Sequence, residues 1–312
     1  MNDNVKVDLD GKTLSLTNLD KVFYPASGFT KAQVIAYYDQ AAPVLLPHLN
    51  DRPLTLKRYP DGAGGDYFYE KACPPHRPDW VRTVAIAGAR KKTDYCLAND
   101  RATLMWLANL ADLELHVSLS RAGKMSNPDA VVFDLDPGLS ATIIDCARVG
   151  LRLRRLCDTL GLAAYIKSSG LKGLQVYVPL NTPVTYRETK SFALAVATWL
   201  EKQHPGEITA AMKKEQRVGR VFIDWSQNDS HKTTVCAYSL RAAEEPWVST
   251  PLAWSEVETA VEENAGGRLR FDAPGVIERI ARLGDLFAPV LESKQKLPDS
   301  FLLPPNLLIS NP

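Results

Sequence analysis

Val131-Val132-Phe133-Asp134-Leu135-Asp136-Pro137-Gly138 leads three apolar residues into two acids and stops at a Pro-Gly pair. A β-branched and aromatic run bounded in this way predicts a buried strand with a turn behind it. Side chains alternate along a strand, so Val132, Asp134 and Asp136 share one face and Val131, Phe133 and Leu135 the other. Two carboxylates then lie side by side, about 7 Å apart at the backbone. Their repulsion raises a pKa unless a cation sits between them. By itself the pair also admits the reading of a strand end with two solvated acids.

Around this stretch the chain is ordinary for a globular protein. It has 312 residues, 45% hydrophobic and 23% charged, with 37 basic against 36 acidic side chains. A net charge of +1 creates no global field towards nucleic acid or membrane, so any polyanion site must come from local clustering. No apolar run approaches the ~20 residues of a membrane span, and the Met1 region lacks a signal-peptide profile. The five cysteines (Cys73, Cys96, Cys146, Cys157, Cys236) are scattered and contain no CxxC pair. They are expected to be reduced thiols in a cytoplasmic protein, neither a disulfide frame nor a zinc site.

Several flanking segments carry polar chemistry. Alternation in residues 1–18 around Asp10-Gly11 predicts a hairpin, and Thr30 an N-cap for a helix to about Leu46. Lys31 falls in that helix's first turn, where it and free N–H groups would converge on an anion. Pro53 to Tyr59 predicts a strand ending in Lys57 and Arg58. In Tyr67-Phe68-Tyr69 the three aromatics cannot all face inward, and exposed aromatics beside Lys57, Arg58 and Lys71 suit base stacking along a phosphate track. Arg90-Lys91-Lys92 and Lys213 to Arg220 are further basic knots.

Ser168 to Gly173 is a Gly-Lys loop without Walker spacing; its backbone N–H groups, Ser169 and Lys172 could reach phosphate oxygens. Val221-Phe222-Ile223-Asp224-Trp225 is a second apolar strand carrying a carboxylate. Asp134, Asp136 and Asp224 together make a hard-oxygen set suited to Mg²⁺ or Mn²⁺. With Ser169, Lys172 and Arg241 to hold a triphosphate, they are the equipment of two-metal phosphoryl transfer.

Asp134-Leu135-Asp136-Pro137, the Ser169-Gly170 loop running into Leu174 to Pro179, and Phe222-Ile223-Asp224-Trp225 resemble the three motifs of the archaeo-eukaryotic primase superfamily. Leu54 to Gly62, Pro78-Asp79-Trp80-Val81 and Tyr238-Ser239-Leu240-Arg241 resemble more closely the polymerase domain of bacterial ATP-dependent DNA ligase D, which serves non-homologous end joining. The resemblance covers nearly all of residues 10–300. It implies an α+β fold, with a primase-like catalytic core whose mixed, largely antiparallel sheet is flanked by helices. An N-terminal β-rich part would pack on that core. One polymerase domain would span 1–300, with DNA and 5′-phosphate contacts in 1–110, the catalytic core in 111–300 and a Pro-rich tail in 301–312.

The resemblance also implies a set of roles. Asp134, Asp136 and Asp224 would bind two metal ions, typically Mn²⁺, and Asp224 would help deprotonate a primer 3′-hydroxyl. Ser169, Lys172 and Arg241 would hold the triphosphate of an NTP or dNTP, with His116 and Lys57 beside it. Asn18, Lys21 and Lys31 would capture a downstream 5′-phosphate, and Phe68, with Tyr69 beside it, would stack on the template. Expected partners are double-stranded DNA ends, gapped or template–primer DNA, ligase and end-processing domains of the same larger protein, and a Ku-type end-binding protein. The family's second motif commonly carries His where this chain has Gln175, an uncharged donor. No Lys-x-Asp-Gly motif occurs, so the chain is not expected to seal ends and is expected to derive from a larger protein.

Other chemistries use parts of this pattern. A haloacid-dehalogenase-type phosphotransferase shares Asp-x-Asp but would place it early and follow it with Thr or Val where Gly138 stands. A nucleotide-sugar transferase leaves Asp224 and the basic knots unexplained. A non-catalytic DNA-end-binding module would need no carboxylates.

Overall fold

The computed structural model describes residues 4–87 and 92–298. The Pro-rich tail and the basic residues Arg90 and Lys91 lie outside them. A six-stranded sheet runs in the order Ile208–Thr209, Val221–Asp224, Ala130–Pro137, Leu174–Pro179, Tyr165–Ser168 and Pro251–Leu252. Every neighbouring pair is antiparallel except the first. A four-stranded antiparallel sheet, Thr234–Val235, Asp112–Val117, Leu54–Arg58 and Phe68–Glu70, draws strands from both sides of residue 110. The architecture is α+β with largely antiparallel sheets, as the sequence implies.

The period-2 pattern of the central strand separates two cores. Val131, Phe133 and Leu135 pack under the helices Ile143–Thr159, Tyr186–Gln203 and Trp254–Glu262. Val132 and Tyr177, on the other face, join a cluster with Leu54, Leu56, Leu113 and Leu115 of the second sheet and with helices Lys31–Leu49 and Arg101–Asn109. Asp134 and Asp136 share the face of Val132, and so open towards the second sheet. Thr30, Thr142 and Thr185 each cap a helix in a reciprocal box with the third residue of the helix.

The cysteine expectation fails at one pair. Cys73 and Cys96 are disulfide-bonded, with Cα atoms 5.0 Å apart, while Cys146, Cys157 and Cys236 are free and buried. Linear spacing hid the pair. The hairpin Thr83–Ala87/Lys92–Cys96 folds back so that the Cys73 N–H donates to the Asp94 carbonyl (2.7 Å), which places the two cysteines side by side.

Candidate active site

Antiparallel register builds the site. Asp134 stands opposite Asp224 on one side and Gln175 on the other, and Gln175 stands opposite Lys167. Directly opposed residues point to the same face, so Asp224, Asp134, Gln175 and Lys167 form one polar row across four strands. Asp136, opposite Phe222, lies one row nearer the strand end. Desolvation, then the neighbouring Asp136 charge, raises the Asp134 pKa; desolvation, then Asp224, raises that of Asp136. Such mutually opposed acids favour a cation between them. Lys167, without exposed surface, is pushed down to about 7 by burial and donates to Ser249 Oγ at 2.5 Å.

Among the described residues, no three His, Cys, Asp or Glu side chains close around a point as a ready metal cage. Asp224 is held in part by its own turn: its Oδ1 accepts from the Ser226 N–H (2.9 Å) and hydroxyl (2.5 Å), capping the turn that follows its strand. Asp134 and Asp136 remain directed into a cleft of about 490 Å³, lined also by Ser169, Lys172, Gln175, Arg241, Glu244, Trp247 and Arg270. The donors are hard oxygens, and Gln227, whose Nε2 donates to Asp134 (3.4 Å), leaves a further buried oxygen, Oε1, without a hydrogen-bond partner. Buried orphan atoms are uncommon in folded proteins and point to a missing ligand. This donor chemistry fits a divalent cation at Asp134 and Asp136.

The glycine loop is drawn tight by Ser169, whose Oγ accepts from the N–H groups of Leu171 and Gly173 (3.2 Å each). Gly173 is obligatory, because a Cβ there would meet the Leu135 carbonyl at 2.2 Å. Lys172 is exposed, whereas Gln175 is buried, accepts from Thr234 at 3.3 Å and hydrogen-bonds Asp134. Arg241 donates to the Ser169 carbonyl (2.7 Å). Lys57 and His116, on the second sheet, meet Arg241 at the buried Glu114 carboxylate. Sequence inspection passed over Glu114, although the period of Glu114-Leu115-His116 puts it on the His116 face. Trp247 and Arg270, stacked with the guanidinium 4.6 Å from the ring centroid, were also missed; they follow no motif.

The N-terminal candidates divide. Lys31 and Lys21 are neighbours through the Lys31 N–H to Lys21 carbonyl bond (2.8 Å), but the expected free N–H groups are not there. Ala32 N–H is bonded to the Leu19 carbonyl, because the turn between the strands Lys12–Leu16 and Val22–Tyr24 folds over the helix start, and Gln33 N–H is bonded to the N-cap Thr30 Oγ1. Lys31 is buried, with Nζ donating to the Thr17 carbonyl (2.7 Å); burial, then Lys21, pushes its pKa down to about 8. Lys21 pairs with Asp61 at 2.7 Å, and Asn18 is exposed with a left-handed backbone (φ 53°). Tyr67, Phe68 and Tyr69 are all exposed. Strand alternation separates the last two: Phe68 lies under the Arg58 guanidinium (5.2 Å), and Tyr69 flanks Lys57 and His116.

No helix among the described residues is long and apolar enough to cross a membrane. The family model described as LigD, primase-polymerase domain, matches residues 30–287. The chain is 41% identical over 277 residues to the multifunctional non-homologous end joining protein LigD of Mycolicibacterium smegmatis, covering 88% of this chain and 36% of that protein. It is 32% identical over 291 residues to the bifunctional LigD of Bacillus subtilis, covering 93% and 46%. The chain therefore spans less than half the length of either relative. The solved polymerase domain of Mycobacterium tuberculosis Ligase D in complex with DNA superposes with a TM-score of 0.84 at 36% identity, over 90% of this chain and 99% of that one. These matches do not favour the phosphotransferase or the non-catalytic end-binding alternative. The chain belongs to the family of LigD primase-polymerase domains.

Proposed function

We propose that this chain is a template-dependent nucleotidyltransferase that adds NTPs or dNTPs to the 3′ ends of gapped or broken DNA during non-homologous end joining. The observation that carries the reading is the register that sets Asp134 opposite Asp224 and one row from Asp136, with both Asp134 and Asp136 facing the cleft of Ser169, Lys172 and Arg241. Asp134, Asp136 and Asp224 would hold two divalent ions, Mn²⁺ by preference, with Asp224 released from Ser226. Bound there, the ions supply charge neutralisation and a lowered hydroxyl pKa. The chain's own residues do the rest. Asp224 helps take the proton from the primer 3′-hydroxyl; that oxygen bonds to the α-phosphorus as the bond to the β-phosphate breaks, and pyrophosphate leaves. Ser169, Lys172 and Arg241 orient the triphosphate, with His116 and Lys57 beside it, and Gln175 reaches it from the Asp134 row.

Asn18, Lys21 and Lys31 capture a downstream 5′-phosphate, and Phe68 and Tyr69 stack on the template. The chain works in the bacterial cytoplasm, associated with the nucleoid, beside ligase and end-processing domains of a larger protein and a Ku-type partner.

Template–primer extension with NTP and Mn²⁺ tests the reading. Wild type is expected to extend the primer and Asp136→Ala to lose extension by 10³-fold or more, on the order of 4 kcal/mol of transition-state stabilisation. Retained extension by the variant removes the metal-site assignment.

A further inference from the structure

Glu114 sits in mid-strand with 1% of its surface exposed. Its Oε1 accepts from Lys57 Nζ (3.1 Å), the Tyr59 hydroxyl (2.9 Å) and the Ala242 N–H (3.2 Å). Its Oε2 lies 3.0 Å from His116 Nε2 and 3.2 Å from Arg241 Nε. An ionised carboxylate offers about four lone-pair positions, so this one is saturated. The three basic groups arrive from separate places: Lys57 from the strand directly opposite, His116 from the same face of the same strand, and Arg241 from the segment that reaches the Ser169 loop.

We propose that Glu114 is the positioning residue of the nucleotide site: one buried carboxylate fixes Lys57, His116 and Arg241 before the triphosphate arrives. This rests on the reading of the cleft as a nucleotide site. A purely structural ion cluster is a poor stabiliser, because taking several charges out of water offsets their attraction. This cluster also keeps an excess of positive charge, Lys57 and Arg241 against Glu114. Arg241 is incompletely satisfied, since its Nε contacts Glu114 without a well-aligned hydrogen bond. Burial alone would raise the Glu114 pKa, but His116, Arg241 and Lys57 overcome it and hold the group well below the usual carboxylate range. The carboxylate is therefore charged whenever the protein is folded at neutral pH. A triphosphate meets cations already aimed, and the opposing charge keeps ground-state binding modest while the geometry is held for the transition state.

Glu114→Gln keeps the shape and removes the charge. Mn²⁺-ATP binding, read by calorimetry, should be unchanged or up to several-fold tighter, while kcat for primer extension falls tenfold or more; Glu114→Asp, which restores the charge, should recover part of kcat. A fall of affinity and kcat together, in step with a lower folded fraction, overturns the proposal, as does extension within twofold of wild type. The second readout does not need extension. His116 is faced by Glu114, Arg241, Lys57 and Tyr69; burial lowers its pKa and Glu114 opposes that. Its imidazole titration, followed by NMR, should move to lower pH in Glu114→Gln, and an unmoved titration overturns the proposal. A wild type that binds Mn²⁺-ATP without extending the primer would sink the polymerase reading alone.

Discussion

Replacing Lys167 by Met should make the protein more stable, and more so in acid than in base. Lys167 has no exposed surface and sits at the end of the Asp224–Asp134–Gln175 row. Burial pushes its pKa from 10.5 to about 7, with Asp134 pulling the other way and Arg241 adding to the fall. The unfolded chain therefore binds more protons than the folded one between about 7 and 10.5, and stability rises with pH across that window. Below pH 7 the full penalty applies, about 5 kcal/mol at about 1.4 kcal/mol per pH unit. At pH 9 about 2 kcal/mol of it remains. Met keeps the length of the side chain but forfeits the hydrogen bond to Ser249 Oγ, worth about 1–2 kcal/mol. Ser249 is not left unpaired, because its hydroxyl also donates to the Ser168 carbonyl (3.0 Å). The net expectation is a gain of about 3 kcal/mol at pH 6 and about zero to 1 kcal/mol at pH 9. Urea unfolding at the two pH values reads it directly, with a midpoint shift of about 1 M at pH 6 for a slope of about 3 kcal/mol/M. Equal effects at both pH values, or destabilisation at both, would refute the account of Lys167 as a buried charge.

Capture of a 5′-phosphate by Lys31 needs its ammonium form, which the free protein loses above about pH 8. The preference for gapped DNA carrying a downstream 5′-phosphate over a 5′-hydroxyl should fall from pH 7 to pH 9 and be absent in Lys31→Met; a pH-independent preference in wild type removes Lys31 from the site. Gly173→Ala puts a Cβ 2.2 Å from the Leu135 carbonyl, inside the pair of strands that carries Asp134. It should cost about 3 kcal/mol and abolish extension; a variant with wild-type melting temperature and activity would show that the loop shifts freely. Opening the Cys73–Cys96 bridge, 23 residues apart in sequence, should lower stability by about 3 kcal/mol by chain entropy. Wild type in reductant and Cys73→Ser should then share a lowered unfolding midpoint, and no change in either sinks the bridge as a stabilising element.

The sequence by itself determined the elements and their faces. Hydrophobic period is imposed locally by backbone geometry, and so the Asp134 strand, its two faces and the threonine-started helix at Thr30 could be read in advance. The motif order around Asp134, Ser169 and Asp224 likewise carried the family resemblance. Tertiary structure alone decided which residues meet. Asp134 and Asp224 are 90 positions apart, and only the antiparallel register makes them opposite. Cys73 finds Cys96 only because a hairpin folds back, and the free N–H groups expected at the Lys31 helix are consumed by a turn that packs over it and by the Thr30 cap. Glu114 has no motif, and its importance comes from three basic groups delivered by two strands and a distant segment. Local pattern fixes what each segment is; the burial that brings distant segments together fixes what each charge is paired with.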